Sequence, residues 1–383
     1  MVAKGAAPHR EVIPISMKDI AGPAHIVRGG RWLLLATHAG PIVYYDLEAE
    51  TPIAQVLTPE HERGHLVSMA VDMDSTSPTL KFNLAASRKF VDFTAHVSTA
   101  TVEVWQVNLI LDGYERGIGL RAERLAMFDQ EPPGECRSIS LLGEQLAMAI
   151  FYSNHHTVYT VVVSWRSVSG PDYPKRMLRP STEAMCLLQP DILLSTPCDT
   201  IDFTSCLSIP EVTTLPSHFL EIPETMPFLA VVPFQGFTPR PKSLSDCTIY
   251  SDSFRFVVHA NRGMHTIIVR PKTDGTYHIE THKIMNTPEA LHNLQIPVSG
   301  NLLPTWSQSG ELRLQQFSWT EDEASSFPVA RFKVSPRYEP SFQLFDIVSG
   351  RIIVPDAGGL SVFHLAPPLI PPITMRFGPW GNH

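Results

Sequence analysis

Five consecutive residues, His61-Glu62-Arg63-Gly64-His65, spell the H-E-x-x-H pattern. On a helix this spacing sets two imidazoles one turn apart to share a zinc ion, and the glutamate activates the metal-bound water. Here Gly64 falls inside the would-be helix, Pro59 precedes His61 by two residues, and the flanking runs alternate as strands. The expected setting is therefore a loop, without zinc. The adjacent pair His155-His156 is no better placed: neighbours on a strand or turn point apart, and no Cys or carboxylate lies near. A turn tip is expected there. Asp46, Asp72, Asp74, Asp199, Asp202 and Asp356 stand near strand ends, where an enzyme could gather carboxylates, but where turn amides also need acceptors. The second reading is taken for all six. With no G-x-S-x-G elbow, P-loop or G-x-G-x-x-G in the chain, no catalytic, metal-ligating or cofactor-binding residue is assigned.

The elements that must carry these residues are legible from repetition. Gly30-Arg31-Trp32-Leu33-Leu34-Leu35-Ala36-Thr37, running on to Ile42-Val43-Tyr44-Tyr45-Asp46-Leu47, is echoed by Gly350-Arg351-Ile352-Ile353-Val354, running on to Leu360-Ser361-Val362-Phe363-His364-Leu365. Each phrase reads as a β-hairpin, which alone is marginal in water, so a recurring one must bury its faces against copies of itself. Proline is abundant, 34 in 383 residues against an average near 5%. It falls between apolar runs, where a fixed φ and a missing donor end a strand. The only modest helical patterns are 120–128 and 287–294, and the chain reads as all-β.

The chain divides into seven strand groups. They are 25–27, 32–37, 42–47 and 53–57; 66–71, 80–85, 102–111 and 120–127; 138–142, 146–151, 157–165 and a weak 176–178; and 184–188, 192–194, 201–207 and 212–215. The fifth takes 228–234, 247–250, 254–259, 266–270 and 277–283; the sixth 294–298, 302–306, 312–317 and 329–334; and the last only 342–345, 352–354 and 360–365. Residues 87–99 are expected to form an extended surface loop. Four-stranded groups at this spacing match the blades of a β-propeller, with seven blades, against the competing reading of paired β-sandwiches. The last group lacks a strand, and the N-terminal run 10–17, containing Val12-Ile13-Pro14-Ile15, lacks a partner. It is expected to complete the last blade, giving a propeller over 1–366 and a Pro-rich tail over 367–383.

Composition narrows function. The formal net charge of −8, with the two signs interspersed, disfavours nucleic acid, whose binding needs clustered Lys and Arg. No apolar run spans a membrane, and no secretory h-region is visible, so an intracellular protein is expected. The five cysteines, Cys136, Cys186, Cys198, Cys206 and Cys247, lack C-x-x-C spacing and read as free buried thiols. Trp32, Trp105, Trp165 and Trp306 fall in predicted strands and are assigned to packing between blades.

In a propeller the joints between second and third strands open on one face. That face is expected to bind a partner through His38, Asn154, His155, Asp199, Asn261, Arg262, Gln308 and Asp356, with 88–93 contributing a further tip.

The phrases Gly29-Gly30-Arg31-Trp32-Leu33-Leu34-Leu35-Ala36-Thr37, Val43-Tyr44-Tyr45-Asp46-Leu47, Phe82-Asn83-Leu84-Ala85 and Val104-Trp105-Gln106-Val107 resemble the WD40-like propeller region of F-box proteins of mushroom-forming fungi. The resemblance is clearest over 1–170 and returns at 350–365. It implies a propeller that presents substrate to a ubiquitin ligase, with Skp1 bound by an F-box; residues 1–28 carry no leucine- and proline-rich F-box pattern. The expectation is a non-catalytic protein-interaction scaffold without cofactor, metal, nucleic acid or membrane. The alternative is a propeller hydrolase or lyase working at the channel mouth through carboxylates or His61 and His65.

Overall fold

The computed structural model describes residues 9–14, 20–37, 40–59, 65–92, 97–131, 134–152, 157–170, 172–178, 185–196, 200–213, 228–233, 243–244, 248–249, 252–260, 263–273, 276–285, 302–306, 311–320, 327–333, 344–346, 349–356 and 359–365. Strand β1 (His9–Ile13) stops at Pro14, which can donate nothing to a ladder. Seven antiparallel sheets account for all the strands of the described residues. The first is β2 (Ile20–Ile26), β3 (Trp32–Thr37), β4 (Ile42–Asp46) and β5 (Gln55–Val56). The second is β6 (His65–Met73), β7 (Lys81–Asp92), β8 (Val97–Leu111) and β9 (Gly117–Asp129).

The third sheet is β10 (Glu135–Leu142), β11 (Gln145–Tyr152), β12 (Thr157–Ser164) and β13 (Lys175–Leu178). The fourth starts with β14 (Met185–Gln189), β15 (Ile192–Ser195) and β16 (Thr200–Ser205). Next in the chain, β17 (Glu211–Val212) pairs back onto β13, and β18 (Phe228–Pro233) completes the fourth sheet on β16. The fifth joins β19 (Ser243–Leu244), β20 (Thr248–Ile249), β21 (Phe254–Ala260), β22 (Gly263–Pro271) and β23 (Tyr277–Met285). The sixth is β24 (Leu302–Trp306), β25 (Glu311–Gln316) and β26 (Phe327–Lys333), and the seventh β27 (Leu344–Asp346), β28 (Arg351–Asp356) and β29 (Gly359–His364).

Strand β1 is the fourth strand of that seventh sheet. It pairs with β29 from His9↔His364 to Ile13↔Leu360, and Ile13 is buried. The N-terminal strand thus takes the place left for it, starting one residue before the expected 10–17 and ending at Ile13.

Two compact units emerge, one of residues 1–17, 26–31 and 237–383, the other of 18–25 and 32–236. In the second unit a single apolar cluster runs through the second, third and fourth sheets, from Val102 and Phe128 through Leu146, Ile150 and Trp165 to Leu193 and Ile209. Alternating side chains on fully buried sheets supply it, as β11 shows with five consecutive buried residues. In the first unit Val257, Ile268, Leu303, Phe317 and Trp319 form a smaller core. There the two Gly-Arg turns meet. Gly30, at φ +73°, lies so close to Ser349 that a Cβ would overlap its Oγ, and the Gly30 carbonyl accepts a 2.7 Å bond from Arg351 Nη1. Asp346 accepts from the Gly29 amide at 3.4 Å and from the Ser349 amide at 2.8 Å.

Several expectations are corrected. Residues 87–92 and 97–99 are strand rather than loop, with β7 and β8 paired from Ser87↔Val102 to Asp92↔Val97; 93–96 lie outside the described residues. The polar run Ser87-Arg88-Lys89 suggested solvent, but Arg88 is neutralised inside the protein. The fourth strand of the fourth sheet is β18 rather than 212–215: Val212, with Glu211, pairs onto β13 of the third sheet instead, and Leu229 to Val232 offers β16 a continuous apolar run. The helical pattern at 120–128 lies in β9, and 287–294, like the expected strand 294–298, lies outside the described residues. Trp32 and Trp105 are buried in strands as expected, whereas Trp165, equally buried, heads a 3-10 turn. The side chain of Trp306 lies outside the described set, and Trp319, missed by the sequence pattern, packs edge-on against Phe317.

Candidate partner-binding face

Joints between successive paired strands carry the candidate residues. His38 falls between β3 and β4, Asn154 and His155 between β11 and β12, and Asp199 between β15 and β16; Asn261 and Arg262 fall between β21 and β22, and Gln308 between β24 and β25. All of these lie outside the described residues, as do Cys198 and Cys247. Asp356 is described and pairs with Gly359, so it closes its hairpin instead of forming the tip. Between β21 and β22 the last described pair is Ala260↔Gly263.

The framework beneath these joints is well defined in the second unit. The turn that carries His38 is closed by the Thr37 amide on the Pro41 carbonyl at 3.2 Å and by the Gly40 amide on the Thr37 carbonyl at 3.0 Å. The Gly40 carbonyl then accepts from Arg88 Nη1. Arg88 is fully buried; its Nε donates to Glu103 Oε2 at 2.8 Å and its Nη2 to Thr58 Oγ1 at 3.1 Å. Thr58 Oγ1 also accepts from the Ile42 amide at 3.0 Å. A guanidinium with planar, forked donors suits this task, because it can join a carboxylate, a hydroxyl and a carbonyl from two sheets. Arg88, expected as a loop tip, is in fact the buried anchor of the neighbouring turn. The sequence held no clear clue: Glu103, like Gln106 and Asn108, reads as a polar position of a half-exposed strand.

The next seam uses other chemistry. Asp72 Oδ2 accepts from the Gly143 amide at 2.7 Å, linking β6 to the β10–β11 turn. Burial holds the Asp72 carboxyl above the usual range, the Gly143 amide draws it back, and neighbouring Asp74 raises it. Close to the joint with His155, Gly134 approaches the Phe151 carbonyl so tightly that a Cβ would sit 2.6 Å away. Lys175, also buried, pairs with Glu131, donates to the Thr213 carbonyl at 3.2 Å, and lies 4.6 Å from the Tyr173 ring centroid. Burial also drives the Cys136 and Cys206 thiols up to about 12, so neither is a nucleophile at neutral pH. Cys186 is half-buried, and its thiol donates to the Leu187 carbonyl at 3.4 Å.

Of the six carboxylates, Asp46 and Asp74 accept turn amides, from Glu48 and Thr76 at 3.0 Å each. Asp202 instead lies buried within β16, opposite Ser195. His65 is a strand residue opposite Lys89, and 61–64 lie outside the described residues. Among the described residues no group of three or more His, Cys, Asp or Glu is placed to hold a metal ion, and no helix is long and apolar enough to cross a membrane.

This sheet series has counterparts among solved structures. The β-propeller domain of Cps50 (Swd1) from Myceliophteria thermophila is 11% identical, with a TM-score of 0.58 over 94% of this chain and 100% of that one. The WD40 repeats of RRP9 are 11% identical, with a TM-score of 0.51 over 94% and 99%. The fold is a β-propeller. A chain of the mitotic checkpoint complex also matches, at 8% identity and a TM-score of 0.50 over 94% and 92%. At these identities the likeness is one of fold, and the propeller displaces the sandwich alternative. No family model matches the sequence, and no curated protein matches it.

Proposed function

We propose that this chain is a non-catalytic, intracellular protein-interaction scaffold, a propeller over 1–366 followed by a tail over 367–383. Its partner-binding face is formed by His38, Asn154, His155, Asp199, Asn261, Arg262, Gln308 and Asp356. The observation that carries this reading is positional: all of these residues but Gln308 fall at the joint between the second and third strands of their sheet, or close it, and Gln308 falls at the joint between the first two described strands of its own, while the joints share no sequence. Joints of that order emerge on one face of a propeller, and a rigid strand frame with divergent loops is the usual architecture of a recognition surface. The buried Arg88 anchor, which fixes the His38 turn, supports it further.

The finer proposal, resting on the sequence resemblance, is that the propeller is the substrate-recognition part of an F-box ubiquitin ligase of fungal type, with Skp1 bound by an F-box of the full-length product. Affinity capture of the full-length product from native cells tests both levels. Skp1 and a cullin are expected among the captured proteins; their consistent absence overturns the ligase proposal. A partner retained by the combined His38, Asn154, His155 and Asp199→Ala variant, yet lost on Tyr114→Ser at the exposed β8–β9 turn, overturns the choice of face.

A further inference from the structure

Two neighbouring sheets end their third strand with the same short device. Ser164-Trp165-Arg166-Ser167-Val168 and Ser205-Cys206-Leu207-Ser208-Ile209 each make a single 3-10 turn, entered through a buried Trp165 or Cys206. In each, the second serine donates back to the carbonyl of the first, at 2.7 Å for Ser167 and 2.8 Å for Ser208. The amides that open the turns are bound alike, Trp165 to the Glu144 carbonyl at 3.1 Å and Cys206 to that of Asp191 at 2.7 Å. The two turns are structural equivalents.

Beyond the turns the two segments diverge. After the second turn, Ile209 is buried, and Glu211–Val212 add as β17 to the outer edge of β13 in the preceding sheet. Arg176 on β13 holds this strap, with Nη1 on the carbonyls of Leu207 and Ile209 at 3.2 and 2.8 Å and Nη2 on Glu211 Oε2 at 3.0 Å. After the first turn, Val168 heads toward the outer edge of β9 in its own preceding sheet, but Ser169 and Gly170 are exposed and no strand is added among the described residues. A cleft of about 450 Å³ lies there instead, lined by Leu125, Ala126 and Met127 of β9 and by Trp165, Arg166 and Val168. Leu125 and Met127 are 38% and 44% exposed.

The charge at this cleft matches that of the filled one. The guanidinium of Arg166 lies beside it, 3.2 Å from Glu144 but 56% exposed, and Arg124, whose Nη1 touches Met127 Sδ at 3.4 Å, is 47% exposed. Both have donors to spare, as Arg176 has for the carboxylate of Glu211.

We propose that the β9 edge is a docking site for an extended segment of a partner protein with the pattern apolar, acidic, apolar, adding to β9 as β17 adds to β13. Main-chain pairing supplies affinity, the cleft takes an apolar side chain, and the guanidiniums select the acid. This site does not depend on the hairpin-joint face.

The probe is a fluorescein-labelled peptide with the sequence of residues 208–213, Ser-Ile-Pro-Glu-Val-Thr, titrated into the intact protein by fluorescence anisotropy. Hydrogen exchange is followed in parallel. Saturable binding is expected, with new protection in residues 124–129. Replacing the peptide's glutamate by glutamine should weaken binding about tenfold, as loss of one charge-assisted hydrogen bond implies. Met127→Lys, at an exposed position that leaves folding intact, should abolish binding, and Arg166→Glu should favour a lysine-substituted peptide. Absence of binding at millimolar peptide, equal affinity for Met127→Lys, or protection of 175–178 by displacement of β17 would each overturn the proposal. So would concentration-dependent protection of β9 without peptide, which would make a second copy the occupant.

Discussion

Replacing Arg88 by methionine isolates the buried clamp between the first two sheets. Methionine keeps most of the stem volume and removes the guanidinium, so the change is electrostatic rather than a cavity. It strands Glu103, 1% exposed, in the interior. Removing one partner of a buried pair costs about 3 to 5 kcal/mol. Arg124, 3.6 Å from the other Glu103 oxygen but 47% exposed, offsets part of this and places the loss near the lower figure. The Gly40 carbonyl and Thr58 hydroxyl also lose a donor, at about 1 kcal/mol each. The expected total is about 4 to 5 kcal/mol, a large share of a typical folding stability of roughly 5 to 15 kcal/mol. In the double variant Arg88→Met with Glu103→Leu the stranded carboxylate is gone, and about 2 kcal/mol of loss should remain. Urea denaturation followed by tryptophan fluorescence measures both, and the double variant should recover about 2 to 3 kcal/mol of the single variant's loss. A single-variant loss below about 1 kcal/mol, or a double variant no more stable than the single, would refute the clamp.

Other consequences are as sharp. Gly29→Ala meets open space at φ +96° and should cost about 1 to 2 kcal/mol of backbone strain, whereas Gly30→Ala overlaps Ser349 as well and should lose several kcal/mol; equal melting temperatures would contradict the Gly30–Ser349 contact. Deleting residues 1–17 removes β1 and Ile13 and should lower the main melting transition, and an unchanged transition would refute the role of β1. Cys136 and Cys206 should resist maleimide in the native protein at pH 8 and react on unfolding, which peptide mapping of labelled sites can decide. Asp72 keeps its proton longer when folded than when unfolded, so its contribution to stability falls as pH rises from 3.8 through the raised value. Asp72→Asn should remove that fall, and a stability–pH curve parallel to the parent across this window would count against it.

The strand frame was legible because apolar alternation and proline punctuation are local, and because β3 to β4 and β28 to β29 share one phrase. The pairing of β1 with β29 was legible by elimination, since one group lacked a strand and one strand lacked a group. The strap at β17 was not, because two residues of strand carry no periodicity and their partner lies 35 positions away. Nor was the burial of Arg88: a polar run looks solvated until its counter-charge, 15 residues on, is known to face it. The candidate face was legible only as a set of joints, since loops have no period and each joint is chosen separately.

The seams explain why repetition is clear in the strands and faint in the sequence. The first and second sheets are joined by an arginine, a glutamate, a threonine and a glycine carbonyl, and by Tyr44 Oη accepting from the Leu120 amide at 3.2 Å. The second and third are joined by an aspartate on a backbone amide over a shared apolar cluster, and the third and fourth by Ser140 accepting from the Leu187 amide at 3.0 Å. At the Gly-Arg turns the contact is a glycine pressed on a serine. Each solution uses a different set of polar groups. A propeller constrains strand length and alternation at every blade but leaves the chemistry of each seam free. Sequence comparison, which scores identities, then finds no matching family model, while structural comparison still recovers the fold. The same freedom makes the seams informative: where two are built alike up to the Ser-x-x-Ser turns and then diverge, the difference at β9 is a feature of this chain rather than of its fold.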